Sequence, residues 1–326
     1  MSAKYTNETG IPLSMAVFLA SDYYDYQPGV ISATSLLKPV RQYVLARRVP
    51  PGEYVPDLSK LVPNRMGAAI HDGVEKAWKT NYKEAMKALG YPQKIIDRVV
   101  VNPTPEELKP NSIPVYMEIR STREINGFKV SGKFDFIGDG QLEDFKSTTT
   151  YTWMHDTKDE DYVLQGSIYR WLNPELVTKD TMSIQFFFTD WSAMLARQSP
   201  KYPPARTMTR KFKLMSLEET EAYIVNRLNQ IAQAMNAEEE FIPQCNDHEL
   251  WRKEPAWKYY KNPANKSRST KNFDNEAEAI ARWTQDGMTG EVVMIPGQVV
   301  ACKYCPAFTA CKQKDALIDS GDLVIE

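Results

Sequence analysis

Two carboxylates and a lysine in neighbouring segments of this chain could hold a divalent cation against a phosphodiester. Asp135 closes Gly132-Lys133-Phe134-Asp135, and Glu143-Asp144-Phe145-Lys146 begins eight residues after it. In a β-strand alternate side chains share a face, so Asp144 and Lys146 point one way while Glu143 and Phe145 point the other. Between the two segments, Gly138-Asp139-Gly140 has the composition of a tight hairpin turn, which brings Asp135 and Asp144 together. Hard divalent cations take carboxylate oxygens, and a nearby ammonium polarises a phosphate or a metal-bound water. Such a group is suited to phosphodiester hydrolysis. An Asp-x-Lys triplet is also common on solvated strand faces, so its meaning depends on what surrounds it.

Two helical motifs bracket these segments. Upstream, Gly67-Ala68-Ala69-Ile70-His71 sets a histidine one turn after a glycine, with Glu75 a further turn along the same face. Glycine permits close backbone approach, which lets His71 reach a buried metal; a helix histidine bonded to a neighbour is the competing reading. Downstream, Gln165-Gly166-Ser167-Ile168-Tyr169 puts an amide and a phenol one turn apart. The pair could hold a nucleotide phosphate, order Lys146, or mark the core boundary of an amphipathic helix.

The elements that must position these groups follow from periodicity. Residues 64–89 read as a long helix, and 113–119, 128–137 and 141–147 as strands. A helix is expected over 162–172, then an apolar strand over 182–190 with 207–214 as its partner. Ser216-Leu217-Glu218-Glu219 is a capping box opening a helix to about residue 235. Before all of these, N-cap candidates at Ser32 to Ser35 precede a helical pattern through Leu36, Leu37, Val40, Tyr43 and Val44. Lys38, Arg41, Arg47 and Arg48 make that stretch basic, either as a solvated face or as an arm touching phosphates. The order predicts a mixed α/β domain with a central sheet.

Composition sets outer bounds. The 326 residues can build one large domain or two modest ones, with 42% hydrophobic and 25% charged residues. A net charge of −2 gives no global attraction to nucleic acid, so any contact must come from local patches. Residues 11–20 are apolar but lack a basic flank, and the acidic, aromatic run 21–26 follows at once, unlike a secretory signal. No stretch approaches the length of a membrane span. With four cysteines and no secretory signal, a reducing, cytoplasmic setting is expected. No Walker A loop occurs, so no helicase motor is recognisable.

After Glu240 aromatics and cations interleave: Trp257, Tyr259 and Tyr260 among Lys253, Lys258, Lys261, Lys266, Arg268 and Lys271. A strand of nucleic acid could be neutralised and stacked there, although an irregular lysine-rich surface has the same composition. Near the end, Cys302-x2-Cys305-x5-Cys311 with a remote Cys245 can complete a tetrahedral soft-ligand set. Zinc fingers more often carry paired Cys-x2-Cys units, so this spacing fits zinc poorly. Four unrelated thiols are the other reading.

The order G-x-x-x-H, G-x-x-D, D-x-K, Q-x-x-x-Y, from Gly67 to Tyr169, resembles the RecB-like branch of the PD-(D/E)XK nuclease superfamily. The cysteine spacing resembles the iron–sulfur clasp of its members, including CRISPR-associated exonucleases and the AddB subunit. The resemblance implies a restriction-endonuclease-like α/β core, a central mixed sheet flanked by helices, followed by an iron–sulfur segment. Its expected divisions are a basic helical segment at 1–60, the nuclease core at 61–236 and the clasp at 237–326, in one compact unit. It implies that Asp135 and Asp144 hold Mg²⁺ or Mn²⁺, with His71, the Phe145 carbonyl and Glu118 as further ligands. Lys146 would act on the water or the transition state, and Gln165 and Tyr169 would position DNA. Cys245, Cys302, Cys305 and Cys311 would hold a four-iron, four-sulfur cluster. In the relatives the remote cysteine precedes the nuclease motifs; here Cys245 follows them.

The activity implied is a DNA exonuclease of phage-recombination or CRISPR-associated type, acting on DNA with a free end. A single-strand annealing or recombination protein would be its partner, and a homo-oligomer is compatible with the resemblance. Arg41, Lys261, Lys266, Arg268 and Lys271 are the expected DNA contacts. A DNA-binding recombination module with little catalysis, and a structure- or site-specific endonuclease, share these features.

Overall fold

The structure is a computed structural model describing residues 4–21, 27–50, 52–53 and 55–325; residues 22–26 of the acidic run lie outside it. The chain forms two units, residues 1–37 with 55–229, and residues 38–54 with 230–326. Its helices are α1 Leu13–Ala20, α2 Ala33–Leu36, α3 Val40–Leu45, α4 Val62–Ala88, α5 Gln93–Ile96, α6 Thr150–His155, α7 Asp159–Leu172, α8 Ala193–Gln198, α9 Leu217–Met235, α10 Glu276–Gln285 and α11 Lys312–Asp319. The strands of the first unit are β1 Val30–Ser32, β2 Val99–Val101, β3 Ile113–Met117, β4 Arg120–Ile125, β5 Phe128–Lys133, β6 Phe136–Gly138, β7 Gln141–Thr148, β8 Thr181–Phe188 and β9 Thr207–Lys213. Those of the second are β10 Ala256–Tyr260, β11 Lys271–Phe273 and β12 Glu291–Ile295.

The first unit is mixed α/β. A six-stranded sheet runs β2-β3-β6-β7-β8-β9, with β2/β3 and β7/β8 parallel and the other pairs antiparallel. Strand β8 is buried over most of its length, with Met182, Ile184, Phe186 and Phe188 at 2% exposure or less. Such burial explains its near-continuous apolar sequence. Helix α4 lays Val74, Trp78, Tyr82 and Met86, spaced four residues apart, against Val99, Val115, Met117 and Phe136. Helix α7 supplies the buried Ile168, Tyr169 and Trp171. Its close approach needs Gly166, because a Cβ there would lie 2.1 Å from Met182 Sδ. The capping box holds α9: Ser216 N–H donates to Glu219 Oε2 at 2.8 Å, and Glu219 N–H to Ser216 Oγ at 3.1 Å.

A second, three-stranded sheet, β1-β5-β4, adjoins in the same unit. The strand expected over 128–137 is therefore two strands in two sheets, β5 and β6, with the chain crossing at Phe134 and Asp135. Strands β3 and β4 make the same crossing around Glu118, whose backbone takes a left-handed φ of 53°. Glu118 N–H donates to Asp135 O at 3.3 Å, so the two crossings are stitched together.

The expected helix following Ser32 is also divided. Ser32 caps α2 by accepting from Ser35 N–H at 3.1 Å, but the helix stops before Pro39 and α3 starts after it. Proline lacks an N–H and disfavours a helical residue before it.

In the second unit the aromatic stretch after Ala256 is ordered sheet, corrected from an irregular surface or stacking platform. Strand β10 pairs on both sides, with β11 and β12. Tyr259 and Tyr260 are buried, and Trp257 packs with Tyr259, Phe273 and Trp283. Tyr259 and Phe273, with Trp257 partly buried against them, form a small core. Among the described residues no helix is long and apolar enough to cross a membrane.

Candidate active site

The hairpin between β6 and β7 forms as a two-residue turn. Asp139 and Gly140 both have positive φ, 49° and 75°, which matches the twist of the flanking strands. The turn sets Asp144 on β7 a fixed distance downstream of the crossing that carries Asp135. Asp135 Oδ2 accepts from Phe145 N–H at 2.8 Å, which locks the crossing against β7.

His71 reaches this point from α4. Its Nδ1 lies 3.4 Å from Asp135 Oδ1 and 3.8 Å from Glu118 Oε1, and its Nε2 lies 3.0 Å from the Phe145 carbonyl. His71, Glu118 and Asp135 offer ligand atoms all within 4.8 Å of one another. Gly67 permits this approach: a Cβ there would sit 3.0 Å from Ser147 Oγ. Burial disfavours a charged imidazole, but the Asp135 and Glu118 carboxylates outweigh it and push His71 up to about 10. Glu75 lies one turn further along the histidine's face, as expected, and pairs with Lys79 at 2.5 Å.

Asp144 faces the other way along the same strand register. It is 1% exposed, its Oδ2 lies 2.6 Å from Lys146 Nζ, and its Oδ1 has no hydrogen-bond partner. Burial drives its carboxyl up to about 6 although Lys146 pulls it down. Burial alone would lower Lys146, but the charges of Asp144 and Asp135 raise it instead. Lys146 Nζ donates to Gln165 Oε1 at 3.1 Å, and Gln165 Nε2 donates to the Tyr169 hydroxyl at 2.9 Å. Gln165 and Tyr169 are 9% and 4% exposed, and the hydrogen bonds through them order the lysine, while Gln165 also lines the cleft beside it. A cleft of about 340 Å³ opens beside Lys146, lined also by Thr148, Thr152, Lys158 and Asp161.

The donors fit a hard divalent cation. They are carboxylates, a carbonyl and one imidazole, and Asp144, which feels the charges of Asp135 and His71, carries a buried oxygen without a hydrogen-bond partner. Glu118 enters this set more firmly than a lone strand glutamate would, because the sheet crossing aims it at His71. Lys133, which sequence reasoning passed over, contacts Glu118 Oε2 from β5. Its position two residues before Asp135 was the available signal.

The cysteines gather in the second unit. Cys302 is buried with Leu250, Val299, Leu317 and Leu323, and Cys245 packs against that group. Burial, then the neighbouring charges of Glu249, Cys311 and Cys305, raise Cys245 to about 12; burial, then Cys305 and Cys311, raise Cys302 to about 11. Cys305 and Cys311 thus act electrostatically on both Cys245 and Cys302. No three of them have Sγ atoms within 4.8 Å of one another. A tetrahedral zinc ion, with Zn–S near 2.3 Å, needs sulfurs about 3.8 Å apart.

Arg41, expected as a DNA contact, is corrected by its burial. It is 4% exposed, its Nε donates to Cys311 Sγ at 3.2 Å and its Nη1 to Ile242 O at 2.9 Å, and it forms an ion pair with Glu239. Four of the five N–H donors of this enclosed guanidinium are engaged within the chain. The basic opening stretch therefore reaches Cys311 through Arg41. Lys266 pairs with Glu291 at 2.7 Å and Lys271 lies over the Phe273 ring, while Lys261 and Arg268 are exposed.

No family model matches the chain, and no curated protein does. Among solved structures it is similar to SSO0001, at 15% identity and a TM-score of 0.40 over 66% of this chain and 80% of that one. It is also similar to a phage-related exonuclease from Haemophilus somnus 129PT, at 20% identity and a TM-score of 0.24 over 35% of this chain. The chain spans 57% of that exonuclease's length. At such distances the chemistry must be argued from the side chains.

Proposed function

We propose that the protein is a divalent-metal-dependent deoxyribonuclease of the RecB-like PD-(D/E)XK type, degrading DNA from an end. The observation that carries this reading is the unpartnered Oδ1 of Asp144, buried beside the His71, Glu118 and Asp135 group and the Lys146 ammonium. Asp135, Asp144, His71 and Glu118, with the Phe145 carbonyl, would hold Mg²⁺ or Mn²⁺. The bound ion would supply a coordinated water of lowered pKa and offset charge at the phosphate. The chain's own part is better defined. Gln165 and Tyr169 hold Lys146 in one rotamer, and the adjoining carboxylates keep it protonated. A fixed cation of that kind stabilises charge developing on phosphate oxygens without reorganising.

The four cysteines, by this reading, bind a four-iron, four-sulfur cluster that ties the C-terminal segment together. Its ligands sit in an apolar setting, with Arg41 as a fixed positive charge beside Cys311. A free DNA end as substrate and a recombination protein as partner belong to the same proposal.

End-labelled linear DNA, single- and double-stranded, with 5′ and 3′ labels in turn, is digested beside a closed circle in Mg²⁺, Mn²⁺ or EDTA. Label released from linear DNA alone, and only with metal, is expected. Cutting of the circle would turn the reading to an endonuclease. No metal-dependent cleavage of any substrate would overturn it.

A further inference from the structure

We propose that the cavity between α4 and strands β6 to β9 takes an unpaired nucleobase of the substrate strand, and that Glu143 reads the base's exocyclic amine. The inference rests on the nuclease reading and deepens it, by naming what the substrate meets beside the acidic site.

Glu143 and Phe145 are the half of the Glu-Asp-Phe-Lys run that the acidic site leaves over. Strand alternation turns their side chains away from the face of β7 that carries Asp144 and Lys146. On their own face they line a cavity of about 610 Å³ with Val74, Trp78, Phe136 and Gln185. Phe136 stands opposite Glu143 across β6 and β7, and Phe145 stands opposite Gln185, which pairs in turn with Thr209.

The cavity adjoins the acidic site through shared elements. Val74 and Trp78 lie three and seven residues after His71, so at about 3.6 residues per turn all three share one face of α4. Phe136 directly follows Asp135. The Phe145 ring lies 5.9 Å from the His71 ring, and the Phe145 carbonyl faces His71 Nε2 at 3.0 Å. One aromatic ring therefore separates the imidazole from the cavity, a step that a nucleotide spans between its phosphate and its base.

The lining says what enters. Among the described residues no lysine or arginine lines the cavity, so it does not attract a phosphate. Trp78, Phe136 and Phe145 form an aromatic wall, with neighbouring ring centroids 5.2 and 6.4 Å apart. Every base has a π-face to lay on such a wall. The polar part is a fixed ladder: Thr209 Oγ1 donates to Gln185 Oε1 at 2.5 Å, and Gln185 Nε2 donates to Glu143 Oε2 at 2.7 Å. Among the described residues no donor pairs with Glu143 Oε1. A carboxylate accepts from the exocyclic amine of cytosine or adenine, whereas thymine has none and presents carbonyl oxygens that the carboxylate repels.

Rings around a carboxylate would also suit an arginine from a protein partner. Contiguity with the phosphodiester site favours the base, and a partner site predicts that Glu143 is silent in DNA binding. A plain solvated sheet face predicts a change in melting temperature alone.

The test uses the full chain and fluorescein-labelled decamers of deoxycytidine, deoxyadenosine and thymidine, followed by anisotropy in EDTA. Homopolymers present the same base whichever end is bound, so cleavage polarity does not enter. Glu143→Gln is nearly isosteric and can donate to a thymine carbonyl. Glu124→Gln removes the same charge from an exposed position on β4. Homopolymers differ in their own stacking, so the readout is the change in preference between wild type and variant. The preference for deoxycytidine and deoxyadenosine over thymidine should fall about fivefold or more in Glu143→Gln and stay within about twofold in Glu124→Gln. As a second measurement that needs no variant, a decamer of 5-iododeoxycytidine is photo-cross-linked to wild type and the site mapped by mass spectrometry. The label is expected on Trp78, Phe136 or Phe145.

An unchanged preference in Glu143→Gln overturns the proposal, and so does an equal fall in Glu124→Gln or a cross-link mapped only outside the cavity. The nuclease reading is judged separately, by cleavage of the same decamers with Mn²⁺. Cleavage with an unchanged preference rejects the base site alone. A preference that Glu143→Gln removes, without cleavage by wild type, keeps the base site and rejects the nuclease. If wild type neither binds nor cleaves, both fail.

Discussion

Replacing Asp144 with asparagine should stabilise the metal-free protein while abolishing cleavage. The carboxylate is 1% exposed, and burial lifts its pKa from 3.8 to about 6 even with Lys146 at 2.6 Å. Unfolded, the group ionises near 3.8; folded, near 6. Below the lower value both states are protonated and the substitution is close to neutral. Between the two, the unfolded chain binds fewer protons, so stability falls as pH rises. Above about 6 the penalty is fully developed. A gap of about two pH units at 1.36 kcal/mol each makes it about 3 kcal/mol. Lys146 is protonated on both sides of this comparison, so its attraction is already counted. For a unit of this size, about 2–4 °C per kcal/mol gives Asp144→Asn a melting temperature about 6–12 °C higher at pH 8 in EDTA. The gain should shrink steadily toward pH 4.5. Mg²⁺ should then raise wild type and leave the variant nearly unmoved, because ligand binding stabilises only the protein that binds it. Melting curves across pH, with EDTA and with Mg²⁺, decide it. An asparagine variant less stable than wild type in EDTA at pH 8, or a difference independent of pH, would refute the placement of a buried, incompletely paired carboxylate.

Other substitutions separate the parts of the molecule. Lys146→Met should lower kcat by about 10²–10³, the usual effect of removing a fixed electrostatic partner from a transition state. It should also lower the melting temperature in EDTA at pH 8, since Asp144 then has no counter-charge. Arg41→Met strands Glu239 and two carbonyl groups, so a loss of about 3–5 kcal/mol is expected. DNA affinity per folded molecule should not change, which anisotropy on the surviving fraction would measure. Gly166→Ala drives a methyl into Met182 and Leu214 and should cost about 1–3 kcal/mol by denaturant melts. Anaerobically purified protein should be brown and carry about four irons per chain, with absorbance near ~400 nm from thiolate-to-iron charge transfer. Stoichiometric zinc in a colourless sample would contradict the cluster.

Strong periodicity made much of the first unit legible. The expected helix 64–89 is α4, and the apolar strand 182–190 with its partner are β8 and β9. The glycine-flanked turn and the capping box act locally, so their residue types were enough. Tertiary context decided the rest. Residues 128–137 carry an unbroken strand pattern, yet they divide between two sheets, and nothing in the alternation marks the crossing. Arg41 shows a different limit. A basic residue among basic residues reads as surface, and only the folded chain shows Glu239 and Cys311 arriving from some 200 and 270 residues away. The rings of β10 mislead for the opposite reason: pairing on both edges and α10 above them turn an aromatic-cationic stretch into a core with lysines at its rim.

The crossing that sequence reasoning missed is also what makes the site. Had residues 128–137 continued as one strand, Asp135 would have pointed from a pleat with its oxygens on one sheet face, level with its neighbours. By leaving one sheet for another at Phe134, the chain frees the Asp135 carboxylate to accept Phe145 N–H with one oxygen and face His71 with the other. The parallel crossing at Glu118 needs a left-handed residue, a conformation disfavoured for glutamate by sterics. A glycine would relieve that strain and delete the carboxylate. Keeping glutamate there makes sense if its side chain is used, because strained backbone persists where surrounding structure enforces it and function needs it. Glu118→Gly should therefore leave the metal-free fold near wild-type stability, the lost Lys133 and His71 contacts offsetting the relieved φ. It should weaken Mg²⁺ binding measurably by calorimetry, and unchanged Mg²⁺ affinity would remove Glu118 from the ligand set.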